Sequence, residues 1–219
     1  MITDLTLHQL LPNVFDDTGI EQGSSDVWQV ELTFQRGQSY LVEASSGRGK
    51  TSLCMFLYGL RTDYRGEITV TTQEGATRRL LDLDLDELRQ QSLAMMFQDN
   101  RLFPELTPLE NCLIKNRLTD YLSEQAIRSK LVHLGLESKL DVPCELLSLG
   151  QQQRVAFVRM LCQPADFYLL DEPISHLDDE NAQLISEMLQ QAQAATGAGV
   201  ILTSIGRNLP YRYEHVLKL

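Results

Sequence analysis

The amino-acid sequence predicts an α/β fold with a mainly parallel sheet, an antiparallel β flap and an inserted helical segment. Short runs rich in apolar residues, such as residues 166–170 and 199–204, are typical of parallel strands, which are buried on both faces. Segments of helical spacing alternate with these runs, and this order favours a parallel α/β sheet. A hairpin pattern and a polar helical region lie between them and predict the flap and the insertion.

The first elements follow the order strand, tight loop, helix. Residues 28–34, WQVELTF, carry apolar side chains at every second position, which predicts a half-buried strand over Trp28–Phe34. Residues 39–44 predict a second strand, and residues 51–60 predict a helix with Gly59 near its end.

The middle of the chain predicts the flap and the insertion. Residues 66–83 mix polar and apolar positions around Gly75, as a hairpin does. Residues 107–135 are helical in character, because Thr107 and Glu110 fit a capping box with Pro108 at the first helical position.

The last third of the chain returns to alternating elements. A helix is predicted from Gln151, because apolar residues recur after it at helical spacing. Residues 166–170 predict a buried strand, residues 179–195 a helix and residues 199–204 another buried strand.

Composition restricts the class of protein. The 219 residues carry a formal net charge of −11, which argues against nucleic acid as a partner. The longest strongly apolar stretch, residues 52–60, is far shorter than the roughly 20 residues of a membrane-crossing helix, and no secretory signal is recognisable, so we expect a cytoplasmic protein. The four cysteines lack C-x-x-C spacing and are expected to be reduced and buried.

A phosphate-binding loop, or P-loop, is predicted at Ala44–Ser52, ASSGRGKTS, between a strand and a helix. Gly47 and Gly49 allow the backbone to aim its N–H groups at phosphate oxygens, Lys50 suits the β and γ phosphates, and the Thr51 hydroxyl suits Mg²⁺. The alternative is an ordinary Gly/Ser-rich connection. The residues predicted to bind nucleotide here are Ser46, Gly47, Arg48, Gly49, Lys50, Thr51 and Ser52.

Two carboxylates follow an apolar strand. Asp171 and Glu172 stand at the carboxyl end of FYLL, the end of a parallel sheet at which ligands bind. Asp171 is predicted to hold Mg²⁺ and Glu172 to orient or deprotonate the water that attacks the γ-phosphate. The alternative is a solvated acidic turn.

A second anion site is predicted at the start of the later helix. Ser148 and Gly150 lie just ahead of Gln151, where unpaired N–H groups and the positive end of the macrodipole favour a phosphate. The alternative is an ordinary N-capped helix.

These motifs resemble those of one family over nearly the whole chain: the nucleotide-binding subunits of ATP-binding cassette (ABC) transporters. Gln98 in MMFQDNRLFPELTPLENC resembles the Q-loop of that family, LSLGQQQR at 147–154 its signature, and SHLD at 175–178 its D-loop. The resemblance implies a P-loop NTPase core, a single domain over residues 1–219, and an inserted helical subdomain over residues 99–147.

The resemblance also implies how the two anion sites are used. In this family two chains pack head to tail, and the signature of one closes over the ATP held by the P-loop of the other. Gln98 would contact Mg²⁺ and the attacking water, and Phe15 is the best-placed aromatic residue for stacking on adenine, although simple packing is an equal alternative. The implied nucleotide ligands outside the P-loop are Phe15, Ser148, Gly150, Gln151 and Asp178; the metal ligands are Thr51, Gln98 and Asp171; and the catalytic residues are Glu172, Lys50, Gln98 and Ser204.

Three positions depart from the family pattern. Ala44 replaces the first P-loop glycine and strains the turn if that position needs positive φ, and Leu149 replaces a signature glycine. Ser204 stands where the family has a histidine that contacts the γ-phosphate. Since losing one charge-stabilising donor typically costs two to three orders of magnitude in rate, we expect slow hydrolysis.

The implied function is the ATP-hydrolysing subunit of a membrane transport complex, working with ATP and Mg²⁺ as a homodimer. Integral membrane subunits would be its partners, on the inner face of the cell membrane. Two alternatives stay open: a nucleotide-gated subunit with little hydrolysis, and an ABC-type ATPase outside transport. The short chain and FPELTPLEN resemble cassettes of lipoprotein-release, macrolide-export and cell-division complexes.

Overall fold

Two sheets of different pairing form the framework of the chain, in a computed structural model that describes residues 1–15 and 25–219. The strands are β1 Ile2–Pro12, β2 Glu31–Gln35, β3 Ser39–Glu43, β4 Tyr64–Thr72, β5 Thr77–Arg79, β6 Leu93–Met96, β7 Phe167–Asp171, β8 Gly199–Ser204 and β9 His215–Lys218. The α-helices are α1 Lys50–Leu57, α2 Leu85–Gln91, α3 Pro108–Asn116, α4 Glu124–His133, α5 Leu149–Met160 and α6 Asp179–Thr196, and short 3₁₀ turns cover Leu80–Asp82, Glu137–Lys139 and Cys144–Leu146.

The larger sheet is parallel and has the order β6-β7-β8-β3-β9. Because side chains alternate along a strand, each strand supplies two cores. In β7, Leu169 joins the core shared with the antiparallel sheet, whereas Leu170 joins the core shared with α5 and α6. The buried, apolar strands confirm the predicted α/β fold with a mainly parallel sheet.

The second sheet is antiparallel, with the order β2-β1-β4-β5, and confirms the predicted flap. Gly75 lies in the turn between β4 and β5 with φ 81°, a left-handed conformation that glycine adopts without steric cost. The strand that pairs with both β2 and β4 is β1, which the sequence analysis did not predict. The strand β6 and the edge strand β9 were also missed.

The strand predicted over Trp28–Phe34 is shorter in the structure, where β2 begins at Glu31. Trp28 and Gln29 form a turn, and Gln29 has φ 58°. The alternating pattern was correct about burial at Trp28, which is 3% exposed, but wrong about pairing. Alternation reports only the direction of side chains, whereas a strand also needs a neighbour in register.

The helix α5 begins at Leu149, two residues before the predicted Gln151. The apolar periodicity marks the buried stripe of the helix. Its start is set instead by a capping box, in which Ser148 and Gln151 each bind the backbone N–H of the other. The predicted capping box at Thr107 and Glu110, with Pro108 at the start of α3, is confirmed.

Helices α3 and α4 occupy part of the predicted insertion and pack against α5. The limits 99–147 of a helical subdomain stay a prediction. All four cysteines are buried, as predicted. Across residues 1–15 and 25–219, no helix combines the length and apolar character needed to cross a membrane.

Candidate active site

The P-loop connects the end of β3 to the start of α1, as predicted. Gly47 and Gly49 have φ values of 80° and 95°, in the left-handed region that favours glycine. A methyl group on Gly49 would lie 3.0 Å from the ring of Trp28 and 3.3 Å from that of Phe15. Ala44 is outside the left-handed region, so its methyl group does not produce the strain considered above.

The Lys50 ammonium group is held by its own loop. Nζ donates hydrogen bonds to the carbonyl oxygens of Ala44 at 3.0 Å and Ser45 at 2.9 Å, and it lies 3.8 Å from Glu172 Oε1. Burial lowers the pKa of Lys50, and the neighbouring carboxylates Glu172 and Asp171 oppose that shift. The structure therefore places a desolvated cation at the floor of the loop.

Asp171 lies at the carboxyl end of β7 and is 1% exposed. Its Oδ1 accepts a hydrogen bond of 2.7 Å from the Thr203 hydroxyl, whereas Oδ2 is buried with no hydrogen-bond partner in the described part of the chain. Burial raises the pKa of Asp171. A buried carboxylate oxygen without a partner is costly, and a hard divalent cation such as Mg²⁺ is the kind of ligand that would satisfy it.

Glu172 projects from a strained backbone, since its φ of 51° is uncommon for a residue with a side chain. Its N–H donates to the Thr203 hydroxyl at 3.2 Å, and its carbonyl accepts from Gln153 at 3.1 Å. Burial raises the pKa of Glu172, and the Lys50 charge opposes this. The structure thus holds a carboxylate of raised basicity beside the P-loop lysine.

Gln98 bridges the P-loop and the acidic strand end. Its Nε2 donates to Glu172 Oε2 at 3.2 Å, and its Oε1 accepts from the Thr51 hydroxyl at 3.4 Å. The side chains of Thr51, Gln98, Glu172 and Lys50 therefore form one connected set. Residues far apart in the sequence meet here because β6 and β7 are neighbours in the parallel sheet.

One cleft unites most of the predicted site. The residues that line it are Val14, Phe15, Ser46, Gly47, Gly49, Lys50, Thr51, Ser52, Gln98, Glu172 and Ile205. Phe15 lies at its edge over Gly49, where stacking on a base stays a prediction. Arg48 is not a lining residue; its carbonyl oxygen accepts a hydrogen bond of 3.2 Å from the indole of Trp28.

Val14 and Ile205 were missed by the sequence analysis. Ile205 is 46% exposed and follows Ser204 directly. Its position just after the predicted strand at residues 199–204 is the sequence feature that could have placed it at the cleft. Ser204 itself is 2% exposed and donates a hydrogen bond of 2.7 Å to the Arg207 carbonyl oxygen. It lines a neighbouring small cavity instead.

Among the described residues, none of the predicted signature and D-loop ligands lines the cleft. Ser148 and Gln151 are bonded to each other in the α5 capping box, and Asp178 caps α6. A methyl group on Gly150 would lie 2.6 Å from the His176 carbonyl oxygen, so the start of α5 packs closely on the D-loop. The two predicted halves of the site are thus separate within one chain.

Comparison with known proteins gives a consistent result. The family model for ABC transporters matches residues 27–175. The chain is 31% identical over 194 residues to the lipoprotein-releasing system ATP-binding protein LolD of Xanthomonas oryzae pv. oryzae, covering 87% of this chain and 78% of that protein. It is 34% identical over 179 residues to the cytochrome c biogenesis ATP-binding export protein CcmA of Methylococcus capsulatus, covering 80% of this chain and 81% of that protein.

A solved structure agrees with the sequence matches. The fold matches a dimeric, post-hydrolysis structure of the ATP-binding cassette MJ0796 bound to ADP and phosphate, with a TM-score of 0.73 and 25% identity. The match covers 91% of this chain and 87% of that one. Together these likenesses confirm the family resemblance that the motifs predict, including its nearness to lipoprotein-release cassettes.

Proposed function

This chain belongs to the ABC transporter family, and we propose that it is the ATP-hydrolysing subunit of a membrane transport complex. The observation that carries the proposal is the connected set of Lys50, Thr51, Gln98 and Glu172 around one cleft. In such a set the lysine supplies positive charge for phosphates, and the hydroxyl and amide groups can orient bound ligands. The carboxylate can accept a proton.

ATP is the proposed substrate. On binding, Lys50 exchanges the carbonyl oxygens of Ala44 and Ser45 for phosphate oxygens, which supply the negative charge that those carbonyls lack. The first turn of α1 presents its N–H groups to the phosphates, because no side chain in the described part of the chain caps it.

Mg²⁺ is the proposed metal. Asp171 Oδ2, which is buried without a hydrogen-bond partner in the described chain, and the Thr51 hydroxyl supply oxygen ligands of the kind that this ion prefers. When bound, Mg²⁺ neutralises charge on the phosphate oxygens.

Glu172 is the proposed general base. It takes a proton from the water that attacks the γ-phosphorus, and the bond from that phosphorus to the ADP oxygen breaks. Gln98, which is already hydrogen-bonded to Glu172, positions the water.

The active assembly is proposed to be a pair of chains. In one chain the cleft covers a nucleotide from the P-loop side only, and the start of α5 lies outside it. A second copy would place its Ser148 and Gly150 over the exposed γ-phosphate, and the dimeric state of the similar cassette MJ0796 supports such a pair. Closure of the pair, driven by ATP, would be the step that moves the membrane partner.

A groove beside Gln98 is the proposed contact with that membrane partner. Its exposed apolar residues Phe103, Ile114 and Leu118 are 50%, 39% and 53% exposed and lie near Phe97 in the segment that follows Gln98. Exposed apolar surface of this kind marks interaction sites. The similar protein LolD is named as part of a lipoprotein-releasing system and CcmA as an export protein, and these names support a transport role. The inner face of the cell membrane is the proposed location.

Phosphate release from Mg-ATP tests the proposal. We expect turnover by the purified chain and a loss of about two to four orders of magnitude in Glu172→Gln, since general-base catalysis contributes that much. We also expect Glu172→Gln to form a stable dimer with ATP. The matched control is Glu74→Gln, at an exposed turn residue. Phosphate release that is equal in the wild type and in Glu172→Gln would contradict the proposal.

One observation favours a second candidate, a nucleotide-gated subunit with little hydrolysis. The Ser204 hydroxyl donates to the Arg207 carbonyl oxygen and is buried, so it does not reach the cleft that the P-loop lines. On this alternative, wild type and Glu172→Gln form ATP-bound dimers of equal lifetime. On the main proposal, only the variant persists as a dimer.

A further inference from the structure

Residues 173–178 lie between Glu172 and α6 and are called here the β7–α6 loop; one side of this loop is held by Arg207. Its Nη1 donates to the carbonyl oxygen of Ile174 at 3.2 Å and to that of Leu177. Its Nη2 bonds the Asp179 carboxylate at 2.7 Å. One guanidinium therefore spans the loop from its second residue to the first residue of α6, which a planar fork of several donors can do.

The other side of the β7–α6 loop is held by Gln153, a side chain of α5 that is 1% exposed. Its Nε2 donates to the Glu172 carbonyl at 3.1 Å and to the Ser175 hydroxyl at 3.2 Å. Its Oε1 accepts from the His176 N–H at 3.1 Å. The loop that follows the proposed general base is thus fixed between a buried amide and a half-exposed cation.

Arg207 also connects this loop to the P-loop. The Ser204 hydroxyl donates to the Arg207 carbonyl oxygen, and the Ser204 carbonyl accepts a hydrogen bond of 3.3 Å from the Ala44 N–H. The end of β8 therefore lies between the first residue of the P-loop and the β7–α6 loop.

We propose that Arg207 is a positioning residue, which sets the conformation of the β7–α6 loop and through it the orientation of Glu172 and the D-loop. The proposal rests on the proposed function, because it assigns Arg207 a role in hydrolysis. Glu172 has strained backbone dihedrals, and strain of this kind persists only where the surroundings over-determine it. Arg207 contributes to this constraint two residues further along the chain, at the Ile174 carbonyl.

If Arg207 has this positioning role, its removal should lower the turnover rate without changing the affinity for nucleotide. Arg207 does not line the cleft around Lys50, so its removal leaves ATP binding to a single chain unchanged. The turnover rate falls, because a small misplacement of a catalytic group can lower a rate by up to about 100-fold. Since the Arg207 side chain is 45% exposed, the effect on stability is small.

The experiment compares Arg207→Ala, Arg207→Lys and Arg212→Ala, a matched control at an exposed arginine five residues later. For Arg207→Ala we expect kcat for Mg-ATP to fall about 10-fold to 100-fold while the Kd for a fluorescent ATP analogue stays within about twofold. Arg207→Lys keeps the charge but not the fork, so kcat is intermediate. Hydrogen exchange of the ligand-free chain should show faster exchange at residues 174–178 in Arg207→Ala only.

Each outcome decides between the two claims. Unchanged kcat and unchanged exchange in Arg207→Ala overturn the positioning role, while turnover by the wild type leaves the proposed function standing. If the wild type itself does not hydrolyse ATP, the proposed function fails, and faster exchange at residues 174–178 alone would leave Arg207 a purely structural contact. Parallel losses of kcat, ATP binding and melting temperature in both Arg207 variants would also overturn the proposal, since they would report general unfolding.

Discussion

The starts of helices α1 and α5 were both predicted to bind phosphate, but they are built differently. At α1 the N-cap is Gly49, in a left-handed conformation, and no side chain of the described chain caps the helix. At α5 the N-cap is Ser148, whose hydroxyl accepts from the Gln151 N–H while Gln151 bonds back to the Ser148 N–H. The N–H donors at the start of α1 are therefore available to a ligand, whereas two N–H donors at the start of α5 are already hydrogen-bonded within the capping box.

The difference shows that the two helix ends are not equivalent anion sites. A phosphate at α1 accepts hydrogen bonds from N–H groups that no side chain of the described chain caps, whereas a phosphate at α5 competes with a formed cap. The first residue of α1 is also Lys50, a buried cation. We therefore expect α1 to bind nucleotide in a single chain and α5 to bind it only when a second chain delivers the nucleotide.

The largest effect is expected at Gly49. In Gly49→Ala the new methyl group meets Trp28 at 3.0 Å and Phe15 at 3.3 Å, on a backbone with φ 95°. We expect the affinity for Mg-ATP to fall by about 100-fold, because the loop must leave the conformation that aims its N–H groups. Binding of a fluorescent ATP analogue measures the effect.

The control for this prediction is Gly75→Ala. Gly75 also has positive φ, at 81°, but a methyl group there meets nothing within 4 Å. The backbone cost is similar, roughly 1 kcal/mol, so both variants lose stability and only Gly49→Ala loses binding. Equal affinities in the two variants would show that the α1 end is not the nucleotide site.

A smaller effect, of a different kind, is expected at the corresponding glycine of α5. In Gly150→Ala the methyl group would lie 2.6 Å from the His176 carbonyl oxygen, which forces α5 and the D-loop apart. We expect turnover to fall about 10-fold while the affinity of a single chain for ATP is unchanged. Turnover assays and analogue binding on the same preparation separate the two. A matching loss of affinity would place α5 in the same site as α1.

The capping serine gives a smaller change, in stability. Ser148→Ala removes the hydroxyl that accepts from the Gln151 N–H, at a typical cost of about 1 kcal/mol in the free energy of unfolding. Ser148→Asp keeps a capping acceptor but adds a negative charge that would repel a facing phosphate. We therefore expect this variant to have the stability of the wild type but a reduced turnover rate. Urea denaturation and phosphate release measure the two properties. Full turnover in Ser148→Asp would argue against a facing phosphate.

The sequence was sufficient for elements whose signal is local. The P-loop, the acidic strand end and the Thr107 capping box each occupy a few adjacent residues, and the structure has all three. The strand β1 was missed, although Leu5, Leu7 and Leu10 are fully buried. Its pairing with β2 and β4 is non-local, and two register shifts interrupt its alternation.

The candidate site was predictable in its residue types and less so in its contacts. Gln98 and Glu172 were assigned separately, yet their hydrogen bond depends on the adjacency of β6 and β7, which no single segment encodes. The contacts of Arg207 were missed for the same reason, since they are made with residues about 30 positions earlier in the chain. Only tertiary packing brings such groups together.

For Asp171→Asn we expect an effect on the free energy of unfolding that is similar in size to that of Ser148→Ala but opposite in sign. Burial raises the pKa of Asp171, so between its ordinary value and the raised value the folded chain binds a proton more tightly than the unfolded chain does. The stability of the nucleotide-free protein therefore falls as pH rises through this window. Asp171→Asn removes the buried charge, and we expect it to be about 1 kcal/mol more stable than the wild type at pH 7, which corresponds to about 2–4 °C in Tm.

The advantage of Asp171→Asn should disappear at acidic pH, where the wild-type carboxyl is protonated. Mg-ATP should raise the Tm of the wild type more than that of the variant, because the variant has lost a proposed metal ligand. Asp141→Asn, at an exposed site, is the control and should change neither property. A wild type more stable than Asp171→Asn at pH 7 without nucleotide would show that Asp171 Oδ2 is satisfied within the fold. The polar groups around the P-loop would then be satisfied without a ligand, as those at the start of α5 are, and the contrast between the two regions would be lost.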